Sequence, residues 1–145
     1  MSRFVSLVER ARAEQQPSLL CDAVPYARFL GLTLSITDAG GLRARMPYAE
    51  HLVGNPGVPA LHGGTLGSVM ELLAQLMVLW EVTPIVRPRT ITLTSDFLRP
   101  ALLEDTFAEG EFLRVGRRVA SVQLRVWQGE DRLVASGRAH LMIGG

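Results

Sequence analysis

His62, Gly63 and Gly64 stand together where a stretch rich in glycine and proline gives way to the most regular apolar pattern in the chain. Glycine lets backbone approach a ligand closely. The first amides of a helix have no intrahelical partner, and the macrodipole leaves that end partly positive. A carbonyl oxygen that gains negative charge in a transition state is stabilised at such a place. The same residues also suit a plain helix start, in which the glycines only make the turn. Physics alone leaves both readings open.

The second feature is Glu71, nine residues after His62. At helical spacing it shares a stripe with Gly67, Ser68, Gln75 and Val78, while the opposite side is large and apolar. Glu50 and Glu81 read as solvated carboxylates. Glu71 differs because its neighbours are small, which suits close approach by another surface. A carboxylate held there can act as a base or a nucleophile. Nine helical residues span about 13 Å, too far for one substrate carbon to meet both His62 and Glu71. If the two act together they come from different subunits, and two antiparallel helices would bring one start beside the other's middle. That arrangement requires a dimer with two shared sites.

Other chemistries are poorly supplied. All 15 basic residues are arginine, which excludes Schiff-base chemistry and a P-loop lysine. Cys21 is the single cysteine, so an intrachain disulfide, a zinc knuckle and an iron–sulfur site are excluded. Asp, Glu and His are scattered without ligand-like spacing, so neither metal nor cofactor is expected. His51 and His140 have no partner at useful spacing, and Trp80 and Trp127 read as core or interface aromatics. A formal charge of +1 argues against a nucleic-acid partner. Residues 1–16 lack the apolar stretch of a signal peptide. Val69 to Val82 is interrupted by Glu71, Gln75 and Glu81, too short and polar for a membrane span. A cytoplasmic protein is the expectation.

The elements that must position His62 and Glu71 follow from periodicity. Ser2 to Glu14 reads as an amphipathic helix ended by Pro17, and Asp22 to Leu30 as a second helical turn with Asp22 as N-cap. Leu32–Ile36 and Leu42–Met46 alternate around Asp38-Ala39-Gly40-Gly41, a hairpin signal. Tyr48 to Leu61 reads as a loop. A long helix runs from about Gly63 to Glu81, closed by Pro84. Four strands follow, near Thr90–Phe97, Thr106–Val115, Val119–Trp127 and Leu133–Ile143. Consecutive strands with short turns pair antiparallel, so the expected class is α+β, a sheet of five to six strands wrapped around the long helix.

With 145 residues the chain predicts one domain. His62-Gly63-Gly64 with a carboxylate nine residues after the His resembles the hotdog-fold acyl-CoA thioesterases, in the branch like phenylacetyl-CoA thioesterase. Asn55-Pro56-Gly57, Phe97-Leu98-Arg99-Pro100-Ala101, Arg114 to Val119 and Arg132 to Ala135 fit that branch in order and spacing, so the resemblance covers about Leu30 to Met142. It implies a hotdog core over 30–145 behind a helical extension at 1–29, in a homodimer that often pairs again into a tetramer. It also implies hydrolysis of an acyl-CoA to a carboxylic acid and free CoA.

Carried over by position, the resemblance gives the Gly63 amide the task of polarising the thioester carbonyl. Asn55 and His62 shape that pocket, and Glu71 of the facing subunit activates water or attacks. Gly64 and Thr90 fall on the substrate side, and Arg117 and Arg118 near the usual CoA-binding hairpin. Those arginines also suit plain solvated turn charges. Most members of the branch have Asp where Glu71 stands, and the loop from Asn55 to His62 is one residue longer here, with Pro59 added. A binding protein for acyl-CoA without turnover is the alternative on the same fold.

Overall fold

The computed structural model describes residues 2–144. Helix α1 (Arg3–Ala13) is capped by the Ser2 hydroxyl, which accepts from the Val5 amide at 3.2 Å. A 3-10 run (Pro17–Ala23) and a short helix α2 (Pro25–Phe29) follow. This corrects the expected second turn. Asp22 lies inside the 3-10 run, and α2 starts at Pro25 with Val24 as N-cap. Proline's fixed φ and missing N–H suit the first helical position, so it wins over the acidic cap.

Strands β1 (Thr33–Ile36) and β2 (Leu42–Met46) form the expected hairpin. The segment expected as loop holds a second, two-stranded hairpin, β3 (Val53–Asn55) and β4 (Val58–Leu61), turning at Pro56-Gly57. Helix α3 (Gly63–Glu81) keeps the expected bounds. Then come β5 (Arg89–Phe97), β6 (Thr106–Val115), β7 (Val119–Gln128) and β8 (Arg132–Met142). The six-stranded antiparallel sheet runs β1-β2-β6-β7-β8-β5, which leaves β5 on an edge.

The sheet curls around α3. Its apolar side, including Leu66, Val69, Met70, Leu73, Leu76 and Met77, is almost wholly buried. By length and composition α3 could pass for a membrane span, but 67% of its most apolar window is buried inside the fold, as in a core helix. Two glycines let the helix sit close. A Cβ on Gly110 or Gly137 would come within 2.8 Å of the sulfur of Met77 or Met70, respectively. Interiors are packed to crystal density, so a methyl there would have to displace Met77 or Met70 and would crowd the Gln123 or Thr94 carbonyl at 3.0 or 2.9 Å.

The N-terminal arm is tied to the far end of α3. Arg12 donates to the Leu79 carbonyl at 2.6 and 2.9 Å and to the Val82 carbonyl at 2.8 Å. These are the orphan carbonyls of a helix C-terminus, where a cation is favoured. Val8, Ala11, Leu20 and Cys21 join the same core cluster as α3. Burial, with Asp22 adding to it, pushes the Cys21 thiol up to about 11.

Candidate active site

His62 is the N-cap of α3, with φ −63° and ψ 130°, and its Nδ1 accepts from the Gly64 amide at 2.8 Å. An imidazole thus takes the place usually filled by Ser, Thr, Asp or Asn. Its backbone is held on both sides. The His62 amide donates to the Leu52 carbonyl at 2.8 Å, and the Leu61 amide to the Ala101 carbonyl at 2.8 Å. The His62 carbonyl accepts the Thr65 amide at 2.9 Å and the Thr65 hydroxyl at 2.6 Å. From the β3 side, a Cβ on Gly54 would sit 3.0 Å from the His62 Cα. The hairpin missed in the sequence therefore presses directly on the cap.

The Gly63 amide, the first of the helix, donates to no described residue. The edge of the Phe97 ring lies beside Gly63, 3.6 Å from where its Cβ would lie. Phe97 is itself 56% exposed, so it gives little cover. An unspent N–H with a helix dipole behind it and an aromatic edge beside it forms a small polar spot, where negative charge developing on a carbonyl oxygen is stabilised.

Eight residues on, the half-buried Glu71 carboxylate makes no hydrogen bond or ion pair with a described residue. Its stripe stays open: Gly64 is exposed, Gly67, Ser68 and Gln75 are half-buried, and a Cβ on Gly67 would meet nothing within 4 Å. Val78, read as part of the stripe, is buried instead. The Ser68 hydroxyl is turned back to the Gly64 carbonyl at 2.8 Å. Gln75 reaches across to β5, where its side-chain amide donates to the Thr90 hydroxyl at 2.9 Å. Thr90 is thereby fixed one turn beyond Glu71.

Asn55 is brought near by the hairpin but its side-chain oxygen is used locally, accepting from the Gly57 amide at 2.8 Å. Arg117 and Arg118 are exposed on the turn between β6 and β7. The register β5-β8-β7 pairs Thr90 with Leu141 and Leu141 with Ala120, so this turn lies at the same end of the sheet as Thr90. The two outer strands are about 10 Å apart there. The turn is braced by the Ile143 amide, which donates to the Arg118 carbonyl at 2.7 Å.

Neither remaining histidine joins the site, and both have distant partners that spacing could not reveal. His51 Nε2 bonds the Phe29 carbonyl at 2.9 Å, and His140 Nδ1 bonds Thr92 across β5 and β8 at 3.0 Å. Trp80 is core, and Trp127 lies between Arg43 and Arg125. Phe97, quoted only for its motif, is placed beside Gly63, a contact its position in the sequence did not reveal.

Comparison with known proteins gives the family and the fold. Residues 59–135 match the thioesterase superfamily. The medium/long-chain acyl-CoA thioesterase YigI of Escherichia coli K12 is 27% identical over 134 residues, covering 83% of this chain and 86% of that protein. A solved structure from Chromobacterium violaceum is 33% identical, with a TM-score of 0.75, covering 100% of this chain and 98% of the other. A phenylacetic acid degradation-related protein from Ralstonia eutropha shares the fold, with a TM-score of 0.77 at 24% identity over 94% of this chain and 99% of the other.

Proposed function

The chain belongs to the thioesterase superfamily, and from that premise we propose that it hydrolyses acyl-CoA thioesters to a carboxylic acid and free CoA. The observation that carries the reading is the unspent Gly63 amide at the start of α3, with the unpaired Glu71 carboxylate on the open stripe of the same helix. The thioester carbonyl points its oxygen at the Gly63 N–H. Negative charge that builds on that oxygen meets a donor already in place and the positive end of a helix.

Glu71 of a facing subunit supplies the carboxylate, either taking a proton from water or attacking the carbonyl itself. If water attacks, its oxygen bonds the carbonyl carbon, the carbon–sulfur bond breaks, and the proton taken by Glu71 passes to the departing CoA thiolate. If Glu71 attacks, CoA leaves as thiolate from a mixed anhydride, which water then hydrolyses to the acid, regenerating the Glu71 carboxylate and supplying the thiolate's proton. His62 holds the helix start in place through Gly64, and Asn55 shapes the turn that presses on His62 rather than touching substrate. Thr90, held by Gln75, lines the carboxylate side, and Arg117 and Arg118 face the CoA phosphates, for which arginine is suited.

A shared site needs a homodimer. The open edge of β5, with Ile91 and Phe97 exposed, supports pairing with a second copy. A pair of such dimers and a cytoplasmic setting belong to the same reading. Residues 1–29 belong with the core as one domain in this reading, because they share its apolar cluster. The similarity to a medium/long-chain enzyme favours an aliphatic acyl group. Purified protein and a Glu71→Ala variant, assayed for thiol release on aliphatic and aryl acyl-CoAs, test this. Turnover lost in the variant supports the reading. Saturable acyl-CoA binding with no thiol release would instead establish the binding protein.

A further inference from the structure

Between α1 and the 3-10 run, touching α3 at Leu79, lies an open cleft of about 930 Å³, lined by Phe4, Leu7, Val24 and Leu79 together with the charged Arg3, Arg10 and Asp22. Phe4, Val24, Leu79 and Arg87 also wall a smaller recess of about 140 Å³ that reaches Leu72 and Gln75. At about 100° per residue, Gln75, Leu79 and Leu72 sit roughly 40°, 80° and 100° around α3 from Glu71. Glu71 itself lines neither cavity, but the recess lies against the face adjoining its stripe, and the run from Glu71 to Leu79 is about 12 Å. The cleft's lining is mostly apolar with charged groups among it, the usual make-up of a small-molecule site, whose volumes run to about 300–1,000 Å³. The Arg87 guanidinium lies 3.9 Å over the Phe4 ring, and Arg12 fastens α1 to the end of α3. The cleft thus has a roof held at two points.

We propose that this cleft takes the acyl chain of the thioester, so that the N-terminal arm sets chain-length preference. The proposal rests on the acyl-CoA hydrolase reading. With the carbonyl between Gly63 of one subunit and Glu71 of the other, the first methylenes pass Gln75 of the subunit that supplies Glu71, and the distal ones run between its Leu72, Leu79, Val24 and Phe4. Each buried methylene strengthens binding by about fourfold.

The test uses non-hydrolysable S-alkyl-CoA thioethers from butyl to dodecyl, with CoA itself as control, on the full chain by calorimetry. Val24 is half-buried at the inner cleft and Leu7 half-buried in the outer part. In the unsubstituted protein Kd falls by about fourfold per added methylene until the cleft is filled. Val24→Trp stops the gain after short chains, Leu7→Glu stops it only for the longest, and CoA binding is unchanged in both. Thermal melts establish that each variant is folded, and Leu7→Glu carries the test alone if Val24→Trp does not fold. A Kd independent of chain length, an undisturbed slope in the folded variants, or an equal loss for CoA would overturn the proposal. Failure of the hydrolase reading shows differently, as no thiol release from acyl-CoAs while the chain-length slope persists.

Discussion

The Gln75 side chain ties the long helix to the sheet edge by donating 2.9 Å to the Thr90 hydroxyl. Gln75 is one turn from Glu71, so this bond fixes β5 against the face that carries the carboxylate. It is the single direct side-chain link between α3 and β5 among the described hydrogen bonds.

Thr90→Val removes the acceptor and leaves the Gln75 amide unpaired. We expect a stability loss of about 1 kcal/mol, read as a lower Tm. The larger effect falls on turnover, because a small misplacement of a reacting group costs up to about 10²-fold. Thr90→Ser keeps the hydroxyl and restores most of kcat, which a purely packing role for Thr90 would not allow.

Gly63→Pro deletes the N–H assigned to the thioester oxygen. Proline is favoured at the first position of a helix, and His62 before it is already extended at ψ 130°. The variant is expected to fold with an unchanged circular dichroism spectrum and to lose about 10²–10³-fold in kcat. Retained kcat in the folded variant would remove the Gly63 amide from the reaction.

Glu71→Ala is expected to lose about 10²–10⁴-fold in turnover while remaining folded. The shared-site geometry makes a sharper demand. Glu71→Ala and Gly63→Pro proteins, each inactive alone, regain partial activity when denatured together and refolded as a mixture. A mixed dimer carries one site with neither substitution. A site built within one chain would show no recovery, and thiol release on the mixture distinguishes the two.

The buried Cys21 thiol gives a pH signature. Its folded value is raised to about 11 from an ordinary 9.0, mainly by desolvation. Between those values the unfolded chain loses the proton and the folded chain keeps it. Stability therefore falls as pH rises from about 9 to about 11. Urea unfolding across that range should show the decline, and Cys21→Ala should remove this part of it. At neutral pH the native thiol should resist alkylation and react fully in denaturant.

Much of the fold could be read because its signals are local. Gly63–Glu81 has seven large apolar residues at helical spacing, glycines at one end and Pro84 after the other, and its bounds needed nothing from elsewhere. The β3–β4 hairpin stayed hidden because its strands are three and four residues long and carry Gly54 and Pro59, which read as loop. The candidate residues His62, Gly63 and Glu71 were legible by type and spacing. What they touch was not. The Gln75–Thr90 bond, the Phe97 contact and the Arg12 latch join residues that are distant in the chain, and no period encodes such pairings.

The Arg12 latch also bears on the order in which the chain matures. Arg12 and Leu79 are 67 positions apart, so the arm leaves the ribosome long before its anchor exists. Edge strand β5 waits too, since its neighbour β8 is the last strand made. Until then the apolar faces of α1 and α3 have no completed sheet to cover them. Such exposed intermediates are where aggregation starts, and long-range closure slows escape from them. A chaperone that shields the helical half should raise the yield of folded protein, and slowed translation after residue 82 should lower it.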